Sequence, residues 1–165
     1  MLTQARLKEL LSYDPLTGLF TNLKSGKGRK PVGTVVGSAH IHGYTTSMVD
    51  GKNYLHHRLA WFYVHGVFPP NDTDHRDGNR SNNILTNLRL ATRSQNCQNA
   101  ALKSNNLSSG STGVWAVGTR WRARLTVDGG HHHLGYFASK EAAKEAYLEA
   151  KLQHHTFQPV PRSNI

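Results

Sequence analysis

The apolar positions of this chain change spacing several times, and each change marks an element. In residues 3–12, TQARLKELLS, Leu7, Leu10 and Leu11 recur at helical spacing and Thr3 stands where an N-cap belongs, so a short helix is predicted. YDPLTGLF follows, with Pro15 and Gly18 as turn residues before a short strand. Residues 24–30, KSGKGRK, form a basic glycine-rich loop, read equally well as solvated or as a phosphate contact. Residues 32–63 read as short β segments with turns at Gly43 and Asp50–Gly51, and YLHHRLAWFYVHG passes from strand to helix ahead of Pro69–Pro70.

A second pattern starts near residue 113. In WRARLTV, strand alternation puts Trp121, Ala123, Leu125 and Val127 on one face and Arg122, Arg124 and Thr126 on the other. DGG at 128–130 predicts a hairpin turn, and HHHLGYF a third strand. Ser139 then caps a helix whose apolar stripe is Ala142, Ala143, Ala146, Tyr147 and Ala150. That stripe is expected to cover the apolar sheet face and leave the arginine face open. Residues 103–112, KSNNLSSGST, carry few apolar groups and read as a linker. The predicted organisation is α+β: a domain at 1–102, the linker, a second domain at 113–155, and a tail at 156–165. No tandem repeat is visible.

Charge narrows the partner. The 165 residues hold 20 Lys plus Arg against 10 Asp plus Glu, a net charge of +10 and a pI near 10.1. Such a balance favours a polyanion. No run approaches the roughly 18 apolar residues of a membrane span, and MLTQARLKELL lacks the apolar core of a signal peptide. Nucleic acid is therefore the expected partner rather than a membrane. Cys97 is the only cysteine, which excludes an internal disulfide and a cysteine-rich zinc site. An intracellular protein is expected.

The densest chemistry lies in DTDHRDGNRSNNILTNL, residues 72–88, with three Asp, one His and four Asn. A surface loop would use Asn, Asp and Gly for turns; a metal site would use them as oxygen ligands. An EF-hand loop does not fit: counted from Asp72, the sixth position is Asp77 rather than Gly and the twelfth is Asn83 rather than Glu. TDHRDG reads as a strand end, NRSNN as a loop, NLRLA as a returning strand with Leu88 and Leu90 opposite Asn87 and Arg89, and RSQNCQNAALK as a helix capped by Thr92. Asn96 and Asn99 share a face of that helix, and either could reach a metal held by Asp74. Hard cations take carboxylate and amide oxygens, and a neutral histidine can deprotonate water, so these residue types suit phosphodiester hydrolysis.

DHRDGNRSNNILTNLRLATRSQN resembles the motif of HNH endonucleases of the phage and intron homing type. YLHHRLAWFYVHG and LLSYDPLTGLF resemble the same proteins. His75, Asn87 and Asn96 stand at the motif's three positions. The resemblance implies a ββα-metal core, with Asp74 and Asn96 binding Mg²⁺ or Mn²⁺, His75 as general base and Asn87 orienting His75. Arg89 is expected at the DNA. The last motif position is Asn96 rather than His, so the chain reads "HNN".

The second unit resembles the Apetala-two type of plant DNA-binding domain through GVWAV, WRARLTV, HLGYF and EAAKEAY. That resemblance implies a three-stranded sheet in the major groove, with contacts from Trp115, Arg120, Arg122 and Arg124. Trp121 alternates with the buried set. His131, His132 and His133 alternate faces as strand neighbours and are not expected to bind one metal ion. His56 and His57 are read as flanking solvent or DNA, and His57, near the nuclease motif, could touch DNA. Together these readings predict a site-specific nicking endonuclease of double-stranded DNA acting as a monomer, or as a dimer if both strands are cut, leaving 5′-phosphate and 3′-hydroxyl ends. The alternative is a DNA-binding regulator without catalysis.

Overall fold

The computed structural model describes residues 1–25, 31–99, 111–155 and 157, and the basic loop of residues 26–30 and most of the expected linker and tail lie outside that set. The chain divides into two compact units, Met1–Thr92 and Arg93–Pro159. The division falls ahead of residue 102, the boundary expected from the sequence, and places the helix after Thr92 with the second unit.

In the first unit, α1 (Gln4–Leu10) opens on Thr3, whose side chain accepts the Arg6 N–H at 3.1 Å. The helix stops before the expected residue 12. Leu11 already has extended dihedrals, and Leu11–Tyr13 pairs as β1 with β2 (Phe20–Asn22). The same apolar residues serve both elements, because Leu7 and Leu10 are buried from the helix and Leu11 and Tyr13 from the strand. β3 (Val35–Val36) extends this sheet on the far side of β2.

A second sheet has the order β4 (Ser38–Ala39), β5 (Thr45–Val49), β6 (Lys52–Leu55). Asp50 and Gly51, both at positive φ, close the β5–β6 hairpin as the sequence suggested. The chain turns directly from β6 into α2 (His56–His65), which ends at Gly66. β7 (Asp72–His75) and β8 (Leu88–Ala91) form an antiparallel ladder that pairs Asp74 with Arg89 and His75 with Leu88. One core joins these elements: Leu7, Leu10, Phe20, Val49, Leu59, Phe62 and Leu88 are all buried in it.

The second unit begins with α3 (Arg93–Asn99). Its sheet has β10 (Arg120–Val127) between β9 (Val114–Val117) and β11 (Gly130–Phe137), all antiparallel. A register shift opposite Ala123–Arg124 marks a bulge in the β10–β11 ladder. α4 (Lys140–His154) starts on Ser139, whose hydroxyl accepts the Ala142 N–H at 3.2 Å. It buries Ala143, Tyr147 and Ala150 against Val114, Ala123 and Leu125. The alternation in WRARLTV and the stripe in α4 therefore face each other. The fold is α+β.

Candidate active site

Asp74 and His75 end β7, 5% and 3% exposed. A buried carboxylate needs a partner, and Asp74 finds it across the ladder: Arg89 Nε donates to its Oδ2 at 2.8 Å, and a terminal guanidinium nitrogen lies at the same distance. Arg89 was expected at DNA. Its side chain is only 13% exposed and engaged with Asp74, because the register sets the two residues directly opposite each other.

The loop between β7 and β8 explains the asparagines. Asn87 donates to Asp77 Oδ1 (3.0 Å) and to the Asn82 carbonyl (2.9 Å), and its own side-chain oxygen accepts the Asp77 N–H (3.1 Å). Arg76 N–H reaches the Asn87 carbonyl at 2.9 Å. Asn82 Nδ2 adds a bond to Asp77 Oδ2 at 2.7 Å, and the Asn79 N–H one to Asp77 Oδ1 at 2.8 Å. Asp77 thus sits at the centre of a set of donors. Burial works against its charge, but the bonds from Asn82, the Asn79 N–H and Asn87 hold it below the usual carboxylate range.

Asn87, expected to orient His75, spends its side-chain amide on closing the loop around Asp77. The amide oxygen at the ring belongs to Asn83, whose Oδ1 lies 3.4 Å from His75 Nε2. Asn83 Nδ2 donates to the Ser81 carbonyl at 3.0 Å, which fixes which end of the amide is oxygen. An oxygen at Nε2 favours the tautomer with the proton there and leaves Nδ1 the basic nitrogen. The sequence carried no sign that distinguished Asn83 from the other loop asparagines. Its role depends on the path of the loop.

That path is set partly by the β1–β2 turn. Tyr13 OH donates to the Asn83 carbonyl at 2.7 Å, and Leu85 N–H to the Pro15 carbonyl at 3.1 Å. Gly18, at φ +73°, lies so close that an added Cβ would stand 2.4 Å from Ile84 N and 2.5 Å from the Asn83 carbonyl carbon. YDPLTG is therefore the support on which the histidine loop rests.

Behind His75 stands His57, ring centroids 5.2 Å apart in an edge-on arrangement, with Tyr44 5.1 Å from His57 and 6.1 Å from His75. His57 is 5% exposed, so it faces the protein interior rather than the solvent or DNA of the sequence reading. Burial lowers the His57 pKa to about 3, with the neighbouring His75 adding to the effect. Burial likewise lowers that of His75, against the opposing pull of Asn83, Asp77 and Asp74. Both rings are neutral at pH 7, and a neutral His75 can accept a proton.

Residues 54–98 match the HNH endonuclease family. The matched segment runs from β6 through α2, β7, the asparagine loop and β8 into α3. Similar proteins carry the same name. One is an uncharacterised HNH endonuclease of Acanthamoeba polyphaga mimivirus, 32% identical over 107 residues, which span 64% of this chain and 54% of that protein. Another, from Bacillus subtilis (strain 168), is named as a candidate HNH homing endonuclease derived from the SPbeta prophage. It is 35% identical over 85 residues, 51% of this chain and 49% of its own. The chain spans about half the length of these relatives. No solved structure matches it.

Within the HNH segment, Asp74, His75 and Asn87 belong to the first compact unit and Asn96, on α3, to the second. Among the described residues no group of three or more His, Cys, Asp or Glu gathers as a metal cage. The oxygen donors that are present, one carboxylate with amides nearby in sequence, fit a hard cation that keeps waters and substrate phosphates as its other ligands.

The uncovered sheet face of the second unit gathers the other expected residues. Arg122 and Arg124 each lie with the guanidinium carbon 5.2 Å from the Trp115 ring, and Arg122 also approaches Tyr136 at 5.9 Å. Arg122 Nε reaches His133 Nδ1 at 3.4 Å. Arg120 is exposed at the start of β10, and Trp121 is half-buried toward the core. The two half-buried arginines are thus held by aromatic stacking on the open face. His131 bonds to Thr126 and His132 stacks on His154, so the three histidines disperse rather than converge. No described helix is long and apolar enough to cross a membrane.

Proposed function

We propose that the chain is a metal-dependent DNA endonuclease of the homing type that nicks one strand, with the second unit supplying sequence recognition. The observation that carries this reading is a buried neutral histidine beside a buried carboxylate, at the end of the strand inside the HNH segment. His75 takes a proton from the attacking water. Asn83 holds the His75 ring, and Asn87 acts at one remove by holding the loop that carries Asn83. Mg²⁺ or Mn²⁺ at Asp74 would stabilise charge on the scissile phosphate and on the leaving 3′ oxygen. The motif spacing supplies Asn96 as the companion ligand. Arg89 shares the carboxylate of Asp74 and so positions it.

Exposed Arg120 and half-buried Trp115, Arg122 and Arg124 suit a DNA face: arginine forks match guanine edges and phosphates, and a sheet fits the major groove. The Apetala-two resemblance stands with that reading.

A supercoiled plasmid carrying the DNA that flanks the gene tests it, with Mg²⁺, Mn²⁺ or EDTA and with wild type beside His75→Ala. Metal-dependent open circle from wild type alone supports the reading, and linear product points to a dimer. Binding of this DNA without cleavage in any metal would instead favour a regulator that does not cut.

A further inference from the structure

The asparagine loop brings one more charge to the histidine site. Arg80 lies exposed between the Asp77 cluster and Asn83. Its Nη1 donates to the His42 carbonyl at 2.9 Å, and its guanidinium carbon stands 5.0 Å from the Tyr44 ring centroid. That same Tyr44 ring adjoins His57 and His75. Tyr44 therefore carries a cation on one side and the candidate general base on another.

The arrangement holds the cation in place and leaves most of its donors open to a ligand. A guanidinium offers five donors, and the bond to His42 uses one. No described carboxylate pairs with Arg80. The nearest acid in sequence, Asp77, is already engaged by Asn79, Asn82 and Asn87.

We propose that Arg80 is a substrate-contacting residue that donates to the non-bridging oxygens of the phosphate attacked beside His75, with Tyr44 as its positioning residue. This rests on the nuclease reading above. When water adds to phosphorus and the bond to the 3′ oxygen breaks, negative charge grows on those oxygens. A guanidinium fork matches their spacing and strengthens as the charge develops. Stacking on Tyr44 and the bond to His42 fix the fork beforehand, so less side-chain freedom is lost at the reaction.

Two measurements test this on the full chain. The first is single-turnover cleavage of the flanking-DNA plasmid in Mg²⁺ by wild type, Arg80→Ala, Arg80→Lys and Tyr44→Ala. Arg80→Ala is expected to slow cleavage by about 10²–10³-fold. Lysine should restore part of the rate, and Tyr44→Ala combined with Arg80→Ala should be no slower than Arg80→Ala alone. Cleavage by Arg80→Ala at the wild-type rate overturns the proposal. The second is anisotropy of a short labelled duplex in EDTA across a NaCl series. Loss of one phosphate contact should reduce the slope of log K against log[NaCl] by about one; an unchanged slope overturns the contact. If wild type cleaves no DNA, the nuclease reading fails in the first experiment, while the second still decides whether Arg80 touches a phosphate.

Discussion

Replacing Gly18 by alanine tests whether the β1–β2 turn supports the histidine loop. Two costs arise at this position. The left-handed backbone, φ +73°, disfavours any Cβ by roughly 1–2 kcal/mol. The new Cβ would also press on the Asn83–Ile84 backbone at 2.4–2.5 Å, where no flexible side chain can yield. Overpacking of that kind costs roughly 1–3 kcal/mol more. Gly51 isolates the first cost, since it has φ +77° and nothing within 4 Å of its Cβ position. Gly51→Ala should therefore lose about 1–2 kcal/mol, and Gly18→Ala about 2–5 kcal/mol. Urea unfolding of both variants measures the difference. Cleavage by Gly18→Ala, assayed below its unfolding transition, should also fall, because Asn83 and with it His75 must move. Equal destabilisation by the two substitutions, with cleavage intact in both, would refute the support role of the turn.

Asn87→Ala removes three side-chain hydrogen bonds from the loop; it should cost about 1–3 kcal/mol and lower cleavage, whereas Asn83→Ala should lower cleavage with the smaller stability loss, both read by urea unfolding and plasmid nicking. His56 and His57 are buried with pKa values lowered to about 4 and about 3. Both are lowered relative to the unfolded chain, so stability is fully present above about pH 6.5 and falls as acid protonates the unfolded state first. The expected slope is about 1.4 kcal/mol per pH unit for each histidine down toward its folded pKa. Unfolding midpoints between pH 7 and pH 4 check this, and His56→Gln should flatten the curve. Arg122→Ala with Arg124→Ala should weaken DNA binding and reduce its salt slope by about two while the fold persists; anisotropy on the same duplex and circular dichroism decide it.

Several features were legible in the chain because they rest on local chemistry. Thr3 and Ser139 cap helices wherever the following residues can wind, since their hydroxyls meet orphan N–H groups of the first turn. Alternation in WRARLTV assigned Ala123 and Leu125 to the core and Arg122 and Arg124 to the open face, and the helix stripe supplied the cover. The spacing of Asp74, His75 and Asn87 identified the segment that the HNH family match covers.

Other features required the chain to fold back on itself. Leu11 has the right spacing to continue α1, yet pairing with Asn22 draws it into a strand, a contact that no local propensity encodes. The pairing of Asp74 with Arg89 depends on the β7–β8 register, and the choice of Asn83 over Asn87 at the His75 ring depends on how the loop closes around Asp77. His57 and Tyr44 reach His75 from elements distant in sequence, and Gly18 touches Asn83 from another turn entirely. Residue types, caps, faces and charge could be read along the chain, because these follow from covalent geometry and near neighbours. Which carboxylate and amide meet at the buried histidine emerges on folding, because those meetings depend on register and on desolvation by distant parts of the chain.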